Sequence, residues 1–171
     1  MPACILTDNT AHVPPGIFPG QRLIKSLTVR LGAPRPTAPT MDDFLRAYHE
    51  LENEFSAILV LAASSYLLPY IETARLAAAR NGGRARISVL DSQQTGAGLG
   101  LLTQIGAQAA AAGHALAEIE ERIRAAIPHI YTLIYSDVEN LPHNRNPHPA
   151  QIAVKGMQSL FPLYTLENGK L

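Results

Sequence analysis

The chain has 171 residues, 47% hydrophobic and 16% charged, with 14 Lys plus Arg against 14 Asp plus Glu and a formal net charge of zero. That is enough apolar material for one packed core, and it excludes wholesale disorder. A neutral chain lacks the electrostatic footprint that phosphate backbones select, and a single cysteine, Cys4, excludes an internal disulfide or a cysteine-built zinc site.

The opening residues Met1–Asp8 lack a basic segment and reach Asp8 too early for a secretory signal. No apolar run approaches the ~20 residues of a membrane span. A cytoplasmic location is therefore expected, with Cys4 a buried thiol. Ala3–Thr7 predicts a short strand ending at Asp8-Asn9-Thr10, and the prolines and glycines of His12–Gly20 predict a loop. Arg22–Leu31 alternates and predicts a second strand, followed by a proline-rich loop over Gly32–Pro39. Thr40 with Asp43 three residues on resembles a capping box, opening a helix whose face carries Phe44, Leu45, Tyr48 and Leu51.

Ser56–Ala63 is almost continuously apolar, as a strand buried on both faces of a parallel sheet must be. Leu67–Ala79 predicts an alanine-rich helix stopped by a left-handed glycine in Asn81-Gly82-Gly83. Arg86–Leu90 predicts the next strand, and helices follow at Gly98–Ala112 and Leu116–Ala126. Ile130–Tyr135 predicts a strand, Leu141–Pro149 a loop, Ala150–Met157 a short helix and Leu160–Leu166 a last strand. Glu167-Asn168-Gly169 is a turn signal with no strand after it. The alternation implies an α/β fold with a mainly parallel sheet and helices on both faces.

Open parallel sheets bind ligands outside the carboxyl ends of their strands. Three polar clusters fall there: Asp8-Asn9-Thr10, Ser64-Ser65 and Asp91-Ser92. Hydroxyls and amides of this kind suit an anionic or polar head group better than a metal; capping and turn formation would account for each cluster taken singly. Ser64 sits in no Gly-x-Ser-x-Gly elbow. His143 and His148, five apart with a proline between, match no metal-ligand spacing. Gly96-Ala97-Gly98-Leu99-Gly100 fails the dinucleotide fingerprint because its third glycine comes one residue early, and its glycines read instead as close helix–sheet packing. No cofactor is implied. The apolar run Tyr66–Ile71 directly after Ser64-Ser65 reads as core or as a slot for an apolar tail.

Five stretches in order carry a resemblance: Thr7-Asp8-Asn9-Thr10-Ala11; Pro36-Thr37-Ala38-Pro39-Thr40; Ser64-Ser65-Tyr66-Leu67 with Glu72-Thr73-Ala74; Val89-Leu90-Asp91-Ser92 with Gly98-Leu99-Gly100; and Leu141 to Arg145 with Lys155 to Gly169. They resemble the DegV family's Thr-Asp-Ser-Thr-Ala, Thr-Ser-Gln-Pro-Ser, Ser-Ser-x-Leu-Ser-Gly-Thr-Tyr-x-Ser-Ala, Ile-Asp-Ser with Gly-x-Gly, and Leu-x-x-Gly-Gly-Arg with Ile-Lys-Pro-Ile-Leu…Gly. The resemblance implies a DegV-like α/β domain over residues 1–128 and a truncated second α/β domain over 129–171. It also implies non-enzymatic binding of a fatty acid, with the acyl chain between the two domains and, in some members, a separate fatty-acid kinase as partner. Carried over, Thr37, Ser64 and Ser65 line the mouth. Asp8, Asn9, Thr10 and Ser92 hold the surrounding loops, and Arg145 supplies a positive charge. The chain departs from the pattern where Leu68-Pro69-Tyr70 stands for Ser-Gly-Thr, which is expected to delete head-group hydroxyls.

Two other readings stand beside this one: a scaffold that kept the fold and lost the ligand, and a serine hydrolase using Ser64 or Ser65. A homodimer is expected through the strand Leu160–Leu166 or Ile130–Tyr135, because an open apolar strand edge invites pairing.

Overall fold

The structure, a computed structural model, describes residues 2–30, 37–135 and 163–171. Strand β1 (Ala3–Asp8) is the organising element, buried at all six positions. It pairs in parallel with β2 (Ile24–Leu27) on one side and β3 (Ala57–Ala62) on the other, and β3 pairs in parallel with β4 (Arg86–Asp91). The sheet order is β2-β1-β3-β4. The two central strands supply Ile5, Leu6, Ile58, Leu59 and Leu61 to the core. Each such side chain contributes about 1.5–3 kcal/mol relative to exposure.

Helices α1 (Met41–Leu51), α2 (Ile71–Arg80), α3 (Gly96–Ala111) and α4 (Leu116–Ala126) cover the sheet. Alternation along β1 separates the two faces. Ile5 meets α3 at Gly106, where Ile123 of α4 also packs. Asp8, three residues on, faces the opposite layer and receives Tyr70 from the N-terminal end of α2. In that layer Phe44 stacks between Tyr48 and Tyr70, with both ring centroids 5.9 Å from its own. Tyr48 also donates to the Ala74 carbonyl, which locks α1 to α2. The capping box at the start of α1 is present: Thr40 Oγ1 accepts from the Asp43 amide, and the Asp43 carboxylate accepts from the Thr40 amide.

Several elements differ from the sequence expectation. Strand β2 is four residues rather than ten. Gln21–Leu23 forms a 3-10 turn after Gly20, whose φ is 88°. Beyond Leu27, Asn9 grips both the amide and the carbonyl of Val29, so those groups are not free for a ladder. Helix α2 begins at Ile71 rather than Leu67. Pro69 has no N–H and disfavours helical geometry at Leu68, so residues 64–68 instead form a turn in which Leu67 and Leu68 donate to the Ser64 carbonyl.

Its C-cap, Asn81, is extended rather than followed by a left-handed glycine. Gly83 serves a different purpose, because a Cβ there would overlap the Glu52 carboxylate that accepts from the Arg84 amide. The glycines of α3 also divide their roles. Gly100 admits the His12 backbone and Gly98 admits Thr132, while only Gly106 makes the helix–sheet contact.

After α4, a 3-10 turn at Ile127–His129 leads to β5 (Leu133–Tyr135), which pairs antiparallel with β6 (Leu163–Thr165). Both strands are shorter than expected in their described parts. Ile134 and Tyr164 face inward, whereas Leu133, Tyr135 and Leu163 are exposed. The expected turn is present and closed: Glu167 and Lys170 exchange two backbone hydrogen bonds around Asn168 and Gly169, with φ of 50° and 80°. Two positive φ values are the signature of a type I′ turn. The expected loop Leu141–Pro149 and helix Ala150–Met157 lie outside the described residues. Among the described residues, no helix is long and apolar enough to cross a membrane.

Candidate functional site

Because β1, β3 and β4 run parallel, their polar carboxyl ends emerge on one edge of the sheet, and side chains knit them together. At the end of β1, the Asp8 carboxylate is 2% exposed and accepts four hydrogen bonds. One oxygen receives the Thr10 amide at 2.8 Å and the Thr10 hydroxyl. The other receives the Ala63 amide at 3.2 Å and the Tyr70 hydroxyl. Asp8 is thus a structural hub that joins β1, the turn after β3 and the entry to α2.

Ser64 and Ser92 are fully buried. Ser92 Oγ accepts from the Gln94 amide and donates to the Gln94 carbonyl, which closes the turn after β4. The Gln94 carbonyl also accepts from the Ser64 amide at 2.8 Å, and Asp91 accepts from the Ser65 amide at 3.4 Å. Thr95 donates to Thr10 across the rim. Asp8, Thr10, Ser64, Ser65 and Ser92 are therefore brought together, as the three strand-end clusters require.

The other expected residues are placed differently. Asn9 serves the β2 side through Val29. Thr37 is exposed and forms an antiparallel bridge with Arg30, the neighbour of Val29. Arg145 lies outside the described residues.

Two participants lie beyond the polar clusters. Tyr70, expected to remove a hydroxyl from the rim, brings one to it. Burial, and then the adjoining Asp8 carboxylate, push its phenol far above the ordinary value, so it acts as a donor. A tyrosine buried in an apolar run must find a partner for its O–H, and that was the available signal. The second is Gly169. Ser64 Oγ donates to its carbonyl at 2.6 Å across 105 residues of sequence. Thr132, just ahead of β5, donates to the Gln94 side chain at 2.6 Å, and its carbonyl accepts from the Leu166 amide of the last described segment at 3.4 Å.

Among the described residues, no three His, Cys, Asp or Glu side chains gather as a metal site. An open groove of about 450 Å³ lies between α3 and α4, lined by Ile105, Gln108, His114 and Arg122 among others, and shares no residue with the rim.

The profile of the DegV family, described as uncharacterised proteins, matches residues 20–171. No curated protein matches. Three solved structures are similar over 99% of this chain. One is described by the fatty acid binding of a DegV family protein from Thermus thermophilus, with 21% identity, 69% of that chain covered and a TM-score of 0.79. Another is a fatty-acid-binding DegV family protein from Streptococcus agalactiae, with 16% identity, 70% covered and a TM-score of 0.79. The third is the fatty acid kinase B3 protein of Streptococcus pneumoniae loaded with linoleic acid, with 18% identity, 70% covered and a TM-score of 0.75. At these identities the likeness establishes a shared fold. The chain spans about 70% of the length of each of these three proteins.

Proposed function

The chain belongs to the DegV family, and on that premise we propose that it binds a fatty acid or similar apolar ligand without transforming it chemically. The observation that supports this reading most is the hydroxyl-lined rim at the strand ends, on a fold whose solved relatives are described as fatty-acid binding. In this assignment Thr37, Ser64 and Ser65 form the mouth. Asp8, Asn9, Thr10 and Ser92 hold its loops, and Arg145 supplies the positive charge. The partner class is a fatty-acid kinase, a reading supported by likeness to the Streptococcus pneumoniae kinase B3 protein. We assign the protein to the cytoplasm and to a homodimer. The exposed Leu133, Tyr135 and Leu163 support the dimer.

One observation favours a second reading, in which the chain is a scaffold that has lost its ligand. The hydrogen-bonding capacity of the rim is largely consumed internally, with Asp8 holding four donors and Ser64 committed to Gly169.

Calorimetric titration with oleate separates the two. Under the ligand reading the parent binds, and Thr37→Val weakens binding about tenfold or more, the loss of one charge-assisted hydrogen bond. Equal affinity for the variant removes Thr37 from the mouth. No heat from the parent favours the scaffold.

A further inference from the structure

We propose that the Glu167–Lys170 turn is a displaceable strap over the Ser64–Tyr66 turn, and that a ligand carboxylate competes with the Gly169 carbonyl for the Ser64 hydroxyl. This inference rests on the fatty-acid reading above and adds a gate to that site.

The geometry of Ser64 carries it. Ser64 Oγ accepts from the Tyr66 amide at 3.3 Å, so its own proton is directed away from that amide. It donates to the Gly169 carbonyl at 2.6 Å. The hydroxyl is thus an oriented donor whose acceptor, a neutral carbonyl oxygen, comes from a segment 105 residues away. A carboxylate oxygen is the stronger acceptor for the same donor.

The strap is built to move as a unit. Its two backbone hydrogen bonds, Glu167 to Lys170 and back, lie within the turn and survive if it lifts. Among the described residues, two polar contacts tie it to the Ser64–Tyr66 turn: the Ser64 hydrogen bond, and the Lys170 ammonium 4.6 Å from the Tyr66 ring centroid. Asn168 and Lys170 are exposed, while Gly169 is buried against Ser64 and Gln93. Only glycine fits that seat. Its φ is 80°, and a Cβ would stand 2.9 Å from Ser64 Oγ.

The test uses the full chain and oleate as the probe, with dissociation constants measured for the parent, Gly169→Ala, Lys170→Ala and Gly169→Ala with Ser64→Ala. The strap predicts that Gly169→Ala binds about tenfold tighter than the parent, and Lys170→Ala a few-fold tighter. Removing the Ser64 hydroxyl from the Gly169→Ala protein cancels the gain. Should Gly169→Ala fail to fold, Lys170→Ala and the parent still decide. In the parent, the amide signals of Gly169 and Lys170 shift in step with that of Ser64 as oleate is added. Oleate binding with equal affinity in parent and strap variants, with those signals unmoved, overturns the strap and leaves the fatty-acid reading intact. No oleate binding by any of the proteins overturns both.

Discussion

The Tyr70 hydroxyl donates to the Asp8 carboxylate, joining the entry of α2 to the end of β1 over 62 residues of sequence. Tyr70 is 2% exposed, and its ring packs on Phe44. Tyr70→Phe keeps the ring and deletes the hydrogen bond, leaving that carboxylate oxygen with the Ala63 amide alone. Losing a buried hydrogen bond to a charged acceptor costs about 1.5–3 kcal/mol. Urea unfolding should show a lower midpoint at unchanged slope. An unchanged midpoint would remove Asp8 as the hub of the rim.

Thr7, one residue before Asp8, predicts the opposite sign. Its side-chain oxygen is buried and, among the described residues, is the one such atom without a hydrogen-bond partner. Thr7→Val replaces an unsatisfied hydroxyl with a methyl group of similar shape. The expected result is a protein more stable by about 1 kcal/mol. A destabilised variant would mean that the hydroxyl has a partner in solution.

Two glycines make a matched pair. A Cβ on Gly100 would overlap the His12 carbonyl and crowd the Val13 amide, so the loop leaving β1 would have to shift. Gly100→Ala should cost about 1–3 kcal/mol or more. A Cβ on Gly82 would meet nothing within 4 Å. Gly82→Ala should stay within about 0.5 kcal/mol of the parent. Thermal denaturation of the two variants side by side tests the close approach of α3 to that loop.

At the start of α1, Thr40→Ala should cost about 1 kcal/mol at neutral pH through loss of the cap. The pH dependence follows from Asp43. The Thr40 amide, and then the Thr40 hydroxyl, hold the Asp43 carboxyl below its ordinary value of 3.8. A depressed carboxyl pKa stabilises the fold fully above the unfolded value. That contribution is lost as pH falls through the folded value. The stability gap between parent and Thr40→Ala should therefore narrow below pH 3.8 and hold steady above it. A gap that widens in acid would contradict the assigned pairing.

The parts of this fold legible in the sequence are those set by local pattern. β1, β3 and β4 declare themselves as short apolar runs followed directly by polar residues. α1 announces its start through Thr40 and Asp43, and α4 begins and ends where its periodicity says. The late start of α2 has a local cause in Pro69, but other departures have distant ones. β2 is shortened because Asn9, twenty residues away, takes the backbone groups of Val29. The convergence of Asp8, Ser64 and Ser92 follows from parallel topology, so it was readable once the strands were. Tyr70 was hidden because an aromatic in an apolar run reads as core, and its ring is core; only the hydroxyl belongs to the rim. The pairing of Ser64 with Gly169 has no local signal, since neither residue's neighbours encode a contact across 105 positions.

The central claim, that the chain holds an acyl ligand, is tested most directly by native mass spectrometry of the protein purified from cells without added lipid. The account predicts a population heavier than the bare chain by the mass of a fatty acid, with the excess removed by organic extraction. A single species at the mass of the bare chain, unchanged after incubation with oleate, would contradict it.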